Sequence, residues 1–310
     1  MKLAAVFPGQ GSQSTGMLSE LAAAHSEVTA TFAEASDALG YDLWQVAQEG
    51  PESQLNSTEC TQPAMLTAGM AVWRVWEARG GRRPDLLAGH SLGEYTALVV
   101  ANAVEFGDAV AIVRDRGKFM QEAVPHGVGA VAAILGLDNQ PVEEACAAAA
   151  GDEIVRAVNY NAPGQVVIAG HTGAIDRAIE QCREAGAKKA VKLPLSVPVH
   201  SPLMEPAAER FTARLAETEF RTPELPVINN VEVDDHTTPE RVRALLARQL
   251  YSPVRWAETV AEFQGRGVDL VVESGPGKVL AGLNRRIARR MGIQAMFDPA
   301  SIDQAIEASE

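Results

Sequence analysis

A short apolar run, Asp85-Leu86-Leu87-Ala88, leads into Gly89-His90-Ser91-Leu92-Gly93, and a helix-like run from Glu94 to Ala101 leads out. A strand that turns sharply and passes at once into a helix belongs to an α/β layer fold, and the Gly-x-Ser-x-Gly pattern puts its serine at the tip of the turn. The two glycines leave no Cβ to clash where the chain doubles back. The helix that follows aims its first amides, including that of Leu92, at any negative charge forming beside Ser91. The competing structural role for this serine is a helix N-cap.

A chain of 310 residues, 46% hydrophobic and 22% charged, can bury a large core in one large domain or two. The formal net charge of −13 argues against nucleic acid or an anionic membrane as the main partner. Leu3–Phe7 is stopped by Pro8-Gly9, which is too short for the apolar stretch of a signal peptide, and no apolar span reaches membrane length. Cys60, Cys146 and Cys182 are widely spaced and form no Cys-x-x-Cys, so they read as reduced packing thiols in a cytoplasmic protein. Ser14 stands where a dinucleotide fingerprint needs its third glycine, Gly277-Lys278 lacks the rest of a P-loop, and no metal-ligand spacing occurs.

Leu3–Phe7 reads as a strand and Pro8–Gln13 as a loop, with helical stretches near 17–40, 62–79 and 106–122. Between Val128 and Leu193 the order is strand 128–137, helix 142–150, strands 154–159 and 166–169, helix 173–185 and strand 189–193. That β-α-β-β-α-β order matches a ferredoxin-like unit inserted in a larger domain. Pro194 through Pro202 reads as the return crossing. Beyond it come helices near 202–217, 239–249, 255–265 and 278–290, with strands at 227–231 and 268–273. The expected fold is therefore a large α/β-hydrolase-like domain with a mainly parallel sheet, residues 1–125 and 196–310, carrying a ferredoxin-like subdomain over 126–195.

A serine hydroxyl becomes nucleophilic when a neighbouring base takes its proton, which calls for one of six histidines. His90 adjoins the serine and reads as a pocket-shaping residue. His25 sits among polar helical residues, His126 and His171 in glycine-containing connections, and His236 in the polar run Asp234-Asp-His-Thr-Thr238, so all four read as solvent-facing. His200 stands in Val197-Pro-Val-His200-Ser-Pro202, where two prolines pin the backbone before a helix. Pattern alone leaves the choice between His200 and His236 open.

Several segments together resemble the malonyl-coenzyme A: acyl carrier protein transacylases of bacterial fatty-acid synthesis. They are Phe7-Pro-Gly-Gln-Gly-Ser-Gln13, Gly89-His-Ser-Leu-Gly-Glu-Tyr95, Arg116-Gly-Lys-Phe-Met-Gln121, Val158–Gly170, His200-Ser-Pro-Leu-Met204, Arg248-Gln-Leu-Tyr-Ser-Pro253 and Glu273-Ser-Gly-Pro-Gly277, in family order along essentially the whole chain. The resemblance implies that Ser91 carries the malonyl group as an ester and that His200 is its base, held by backbone carbonyls with no acidic third member. It implies an oxyanion hole from the N–H groups of Gln10 and Leu92, with Gly9 and Gly11 letting that loop approach closely. Arg116 would grip the malonyl carboxylate with two parallel hydrogen bonds, and Gln249, Asn161 and His90 would complete the substrate site. The competing structural role for Arg116 is a surface i,i+4 pair on its helix.

The partners so implied are malonyl-coenzyme A and an acyl carrier protein bearing phosphopantetheine, with no cofactor or metal of the enzyme's own. Arg285, Arg286, Arg289 and Arg290 fall on one helical face, which suits a helix C-terminus; alternatively that face, or Lys188, Lys189 and Lys192, meets the acidic carrier. Val197-Pro-Val-His200 departs from the His-Ala-Phe-His and Tyr-Ala-Ser-His patterns of polyketide relatives, which leaves a branched malonyl unit as an alternative substrate. Alternative activities are a trans-acting acyltransferase of polyketide synthesis and a serine esterase or thioesterase. The latter usually needs an acid ahead of a histidine late in the chain. A carrier-binding subunit without catalysis is the reading from another class.

Overall fold

The computed structural model describes residues 1–195 and 197–310. Its strands are β1 Leu3–Phe7, β2 Leu86–Gly89, β3 Gly129–Leu135, β4 Val155–Ala162, β5 Gln165–His171, β6 Lys189–Lys192, β7 Val227–Ile228, β8 Leu270–Ser274 and β9 Gly292–Met296. Five of them form one sheet in the order β7-β2-β1-β8-β9, and every pairing in it is parallel. All residues of β1, β2 and β8 are buried, as expected of strands covered by helices on both faces. The register levels their ends: Phe7 pairs with Gly89, and Val6 with Glu273. The loops that follow these strands therefore meet at one edge, where α/β sheets hold their ligands.

Strands β3 to β6 form a separate antiparallel sheet in the order β4-β5-β3-β6, with helices Asn139–Ala150 and Thr172–Glu184 in the connections. This is the expected ferredoxin-like order. One face of that sheet packs its own core, including Ile134, Val142, Ile168 and Ile175. The other face presents Val131, Ala133 and Val167 to a cleft shared with the parallel sheet's loops.

Several element bounds differ from expectation. The stretch 17–40 is two helices, Ser19–Ala24 and Ser26–Leu39, broken at His25, whose backbone is extended. The strand expected at 227–231 is only Val227–Ile228, because Asn229 and Asn230 turn the chain. The helix expected to reach 290 ends at Ile287, so Arg289 and Arg290 lie beyond it and the four-arginine face does not exist. Strand β9 and the helix Pro299–Ser309, capped by Asp298, were not anticipated. In the return crossing, Ser196 lies outside the described residues.

Candidate functional site

The chain leaves β2 at Gly89, reverses through His90 and Ser91, and enters the helix Gly93–Val100 with Leu92 as its N-cap. Ser91 has φ of 51°, the left-handed region that costs a non-glycine residue about 1–3 kcal/mol unless its surroundings hold it. Here the Ser91 N–H donates to Asn230 Oδ1 at 2.6 Å, and Asn230 Nδ2 donates to the Gly89 carbonyl at 2.6 Å. Because β7 is β2's neighbour, the residues just past it arrive beside the serine turn. A Cβ on Gly93 would lie 1.9 Å from the Phe7 carbonyl oxygen, so glycine is needed there for close approach. Ser91 is thus a tip residue and not the helix cap.

His200 also has a left-handed backbone, φ 61°, and its own N–H donates to the Leu250 carbonyl at 2.9 Å. Its Nδ1 stands 2.7 Å from the Gln249 carbonyl oxygen, which can only accept, so Nδ1 carries the proton. That tautomer leaves the Nε2 lone pair to accept from the Ser91 hydroxyl at 2.8 Å. Burial, reinforced by the Arg116 guanidinium, depresses the His200 pKa to about 3, so the imidazole is neutral at pH 7.

Arg116 projects from the helix Phe106–Glu122 and is 1% exposed, which rules out the surface-pair role. Its Nη1 donates to Gln62 Oε1 at 2.7 Å, and its Nη2 to Gln249 Oε1 at 3.0 Å and to Ser91 Oγ at 3.2 Å. The ring of Tyr95 lies 5.5 Å from its guanidinium carbon. All these partners are uncharged, so a buried cation faces the cleft without a contacting anion, a standing invitation to a carboxylate.

The cleft has a volume of about 370 Å³ and is lined by Gln10, His90, Ser91, Leu92, Arg116, Asn161 and His200 among others. The structure thus brings together seven of the eight side chains or amides expected there. Gly9 lets the Gln10 loop press against the serine turn, since a Cβ on it would lie 2.6 Å from the His90 carbonyl oxygen. Neither the Gln10 nor the Leu92 N–H has an acceptor among the described residues. His90 Nε2 and Asn161 Oδ1 are 2.8 Å apart, joining the serine turn to β4. Gln249 is the exception: it is fully buried behind Arg116 and does not line the cleft.

His236 overturns its expected place in solvent. It is 4% exposed, and its Nε2 bonds Glu94 Oε1 at 2.8 Å. The polar run around it lies at the surface, but the ring turns inward beneath β7. His171 is half-buried at the end of β5, where its Nδ1 accepts from the Ile154 N–H at 2.9 Å. Sequence reasoning also missed Asn230, Gln62 and Glu94. The Asn229-Asn230 pair interrupting an apolar run was a usable turn signal. Glu94, one turn past the serine among apolar neighbours, was a usable sign of a buried acid. Gln62, inside a long helix, gave none.

Residues 5–291 match the family described as acyl transferase domain. The chain belongs to the acyl transferase family. Among its relatives in this family is the malonyl CoA-acyl carrier protein transacylase of Escherichia coli K12, 52% identical over 306 residues that cover 99% of each chain. The protein of the same name from Bacillus subtilis is 43% identical, covering 99% of this chain and 96% of its own. Among solved structures, a malonyl-transacylase in complex with a holo type II polyketide acyl-carrier protein superposes with a TM-score of 0.98 at 52% identity, covering 99% and 100% of the two chains. The malonyl CoA-acyl carrier protein transacylase of Coxiella burnetii gives 0.98 at 47% identity, covering 100% of this chain and 98% of its own. Among the described residues of this acyl transferase, no helix is long and apolar enough to cross a membrane.

Proposed function

We propose that this acyl transferase moves a malonyl group from malonyl-coenzyme A, through an ester on Ser91, to the phosphopantetheine thiol of an acyl carrier protein, in cytoplasmic fatty-acid synthesis. One arrangement carries the reading: Ser91 Oγ lies 2.8 Å from a neutral His200 Nε2 and 3.2 Å from the buried Arg116 guanidinium. The names of its full-length relatives support the same substrates.

As Ser91 Oγ bonds the thioester carbon, its proton passes to His200 Nε2 and the carbonyl π pair moves onto oxygen. The N–H groups of Gln10 and Leu92 receive that oxyanion. Collapse breaks the C–S bond, and the leaving sulfur takes the proton from His200. In the second half the carrier's thiol gives its proton to His200, its sulfur attacks the ester, and Ser91 Oγ leaves and recovers the proton. Arg116 binds the malonyl carboxylate, Gln249 holds that guanidinium from behind, and Asn161 with His90 forms the opposite wall. A neutral acyl group would leave the buried cation unpaired, a penalty of about 1–3 kcal/mol or more. The chemistry so written calls for no cofactor or metal. In this reading residues 1–125 and 196–310 form the acyl-carrying domain, and 126–195 form a subdomain that walls the cleft.

The test is intact-mass measurement after brief mixing with malonyl-coenzyme A. A malonyl adduct should form, vanish in Ser91→Ala, and disappear on adding holo-carrier protein. Rapid loss to water without a thiol acceptor would favour the esterase. A relative's complex contains a polyketide carrier, so carriers of both kinds are compared and the faster acceptor decides the pathway. Arg116→Ala should cut malonyl loading by about 10²-fold or more, as for a lost charge-assisted contact, with a smaller loss for acetyl. Equal losses for both donors would refute the carboxylate role.

A further inference from the structure

Behind the reacting groups, four polar side chains meet in the interior: Glu94, Asn230, His236 and Gln249, each at most 4% exposed. The Glu94 carboxylate accepts from His236 Nε2 at 2.8 Å, from the Asn230 N–H at 2.9 Å and from Gln249 Nε2 at 2.8 Å. A carboxylate only accepts, so it fixes which end of the Gln249 amide points away from it. That end, Oε1, accepts from Arg116, while the Gln249 main-chain carbonyl accepts from His200 Nδ1. Asn230 in turn holds the Ser91 backbone. The Glu94 carboxylate thus touches none of the three reacting side chains and is one residue away from each.

The placement answers an electrostatic problem. When His200 takes a proton it becomes a cation beside another buried cation, and Arg116 already disfavours that charge. A carboxylate bonded directly to Arg116 would occupy the guanidinium and compete with the substrate's own carboxylate. Held behind an amide, Glu94 still offsets the Arg116 charge, and the cleft side of the guanidinium stays free. We propose that Glu94 is the positioning residue of this site, acting through Gln249 to orient His200 and to supply the negative charge that lets an imidazolium form next to Arg116.

The proposal rests on the malonyl-transfer reading above, and the experiment separates the two. Rapid-quench measurement of Ser91 acylation by malonyl-coenzyme A is made on the parent, Glu94→Gln, Gln249→Met and the double variant. Methionine keeps the Gln249 main-chain carbonyl and approximate volume but removes the side-chain bonds to Glu94, to Arg116 and to the Ser91 carbonyl. Glu94→Gln should lower the maximal acylation rate about tenfold or more, the effect of roughly one pKa unit on the base, while the donor concentration at half-saturation moves less than about twofold. The double variant should be no slower than the slower single one, because both cut the same link. Parent-like acylation in Glu94→Gln overturns the proposal, as does a raised half-saturation with an unchanged maximal rate. If Glu94→Gln does not fold, Gln249→Met decides: a slowed maximal acylation with half-saturation moved less than about twofold supports the proposal, and a parent-like maximal rate or a raised half-saturation alone removes it. A parent that forms no malonyl ester removes the transfer reading itself.

Discussion

His200 is a base held ready at a cost in acid. Its pKa and that of His90 are pushed down by burial, to about 3 for His200. In the unfolded chain both return to the ordinary value near 6.5. Between those limits the unfolded state binds protons that the folded state refuses. Stability should therefore be fully present above about pH 6.5 and fall on acidification, by up to about 1.4 kcal/mol per pH unit for each histidine. Urea unfolding of the parent and His200→Asn at pH 7.5 and 5.5 checks this: the variant should lose less, and identical losses would contradict a buried neutral imidazole. The loading rate per unit donor should likewise stay flat down to about pH 5, with no step near 6.5. Ser91, His200 and Arg116 were legible because motif segments surround each of them. His236 was not, since it sits among Asp234, Asp235 and Thr237, and its buried bond to Glu94 joins it to a helix 142 positions away.

The helix Gly93–Val100 must start almost against the end of β1, and that sets what its first residue can be. A methyl on Gly93 would meet the Phe7 backbone at 1.9 Å, and one on Gly89 would meet the Gly93 backbone at 1.8 Å. Both obstacles are buried main chain, one at the end of β1 and the other in the first turn of the helix, so they cannot yield. Gly93→Ala should cost about 3 kcal/mol or more by overpacking and backbone displacement. Gly282 lies exposed inside the helix Val279–Ile287 with an ordinary helical φ, and a methyl placed there would meet nothing within 4 Å. Gly282→Ala should gain about 0.5–1 kcal/mol. Denaturation midpoints measure both, and similar effects at the two sites would show that the turn is not tightly packed. The same contrast explains which elements could be read in advance. The helices Phe106–Glu122 and Pro239–Gln249 have the expected bounds because their periodic apolar faces pack on the core. Strand β7 was overextended because its pairing with β2 lasts only two residues before Asn229 and Asn230 turn the chain.

The two sheets have separate cores yet share main-chain bonds where they meet. The Tyr160 N–H donates to the Val254 carbonyl at 2.9 Å, and the Val254 N–H donates to the Val158 carbonyl at 2.8 Å, so β4 is stitched to the segment entering the helix Trp256–Gly265. Asn161, on the same strand, reaches His90, and Arg286 reaches Gln165 and the Pro163 carbonyl. Losing the antiparallel sheet would strip these bonds and open the cleft face of the serine turn to water. The β-α-β-β-α-β order from β3 to β6 was legible, but nothing in the sequence marked the seam, because Val254 and Val158 are ordinary apolar residues in distant segments. The expectation is that both parts unfold together. All of Trp44, Trp73, Trp76 and Trp256 lie outside 126–195, so tryptophan fluorescence follows the large part alone, whereas far-ultraviolet dichroism follows both. The two urea transitions should superimpose, and amides of Val158, Tyr160 and Val254 should exchange with hydrogen as slowly as those of β1. A dichroism change that precedes the fluorescence transition, with early exchange at those three amides, would mean that the subdomain detaches by itself and that the cleft wall is not held by the seam.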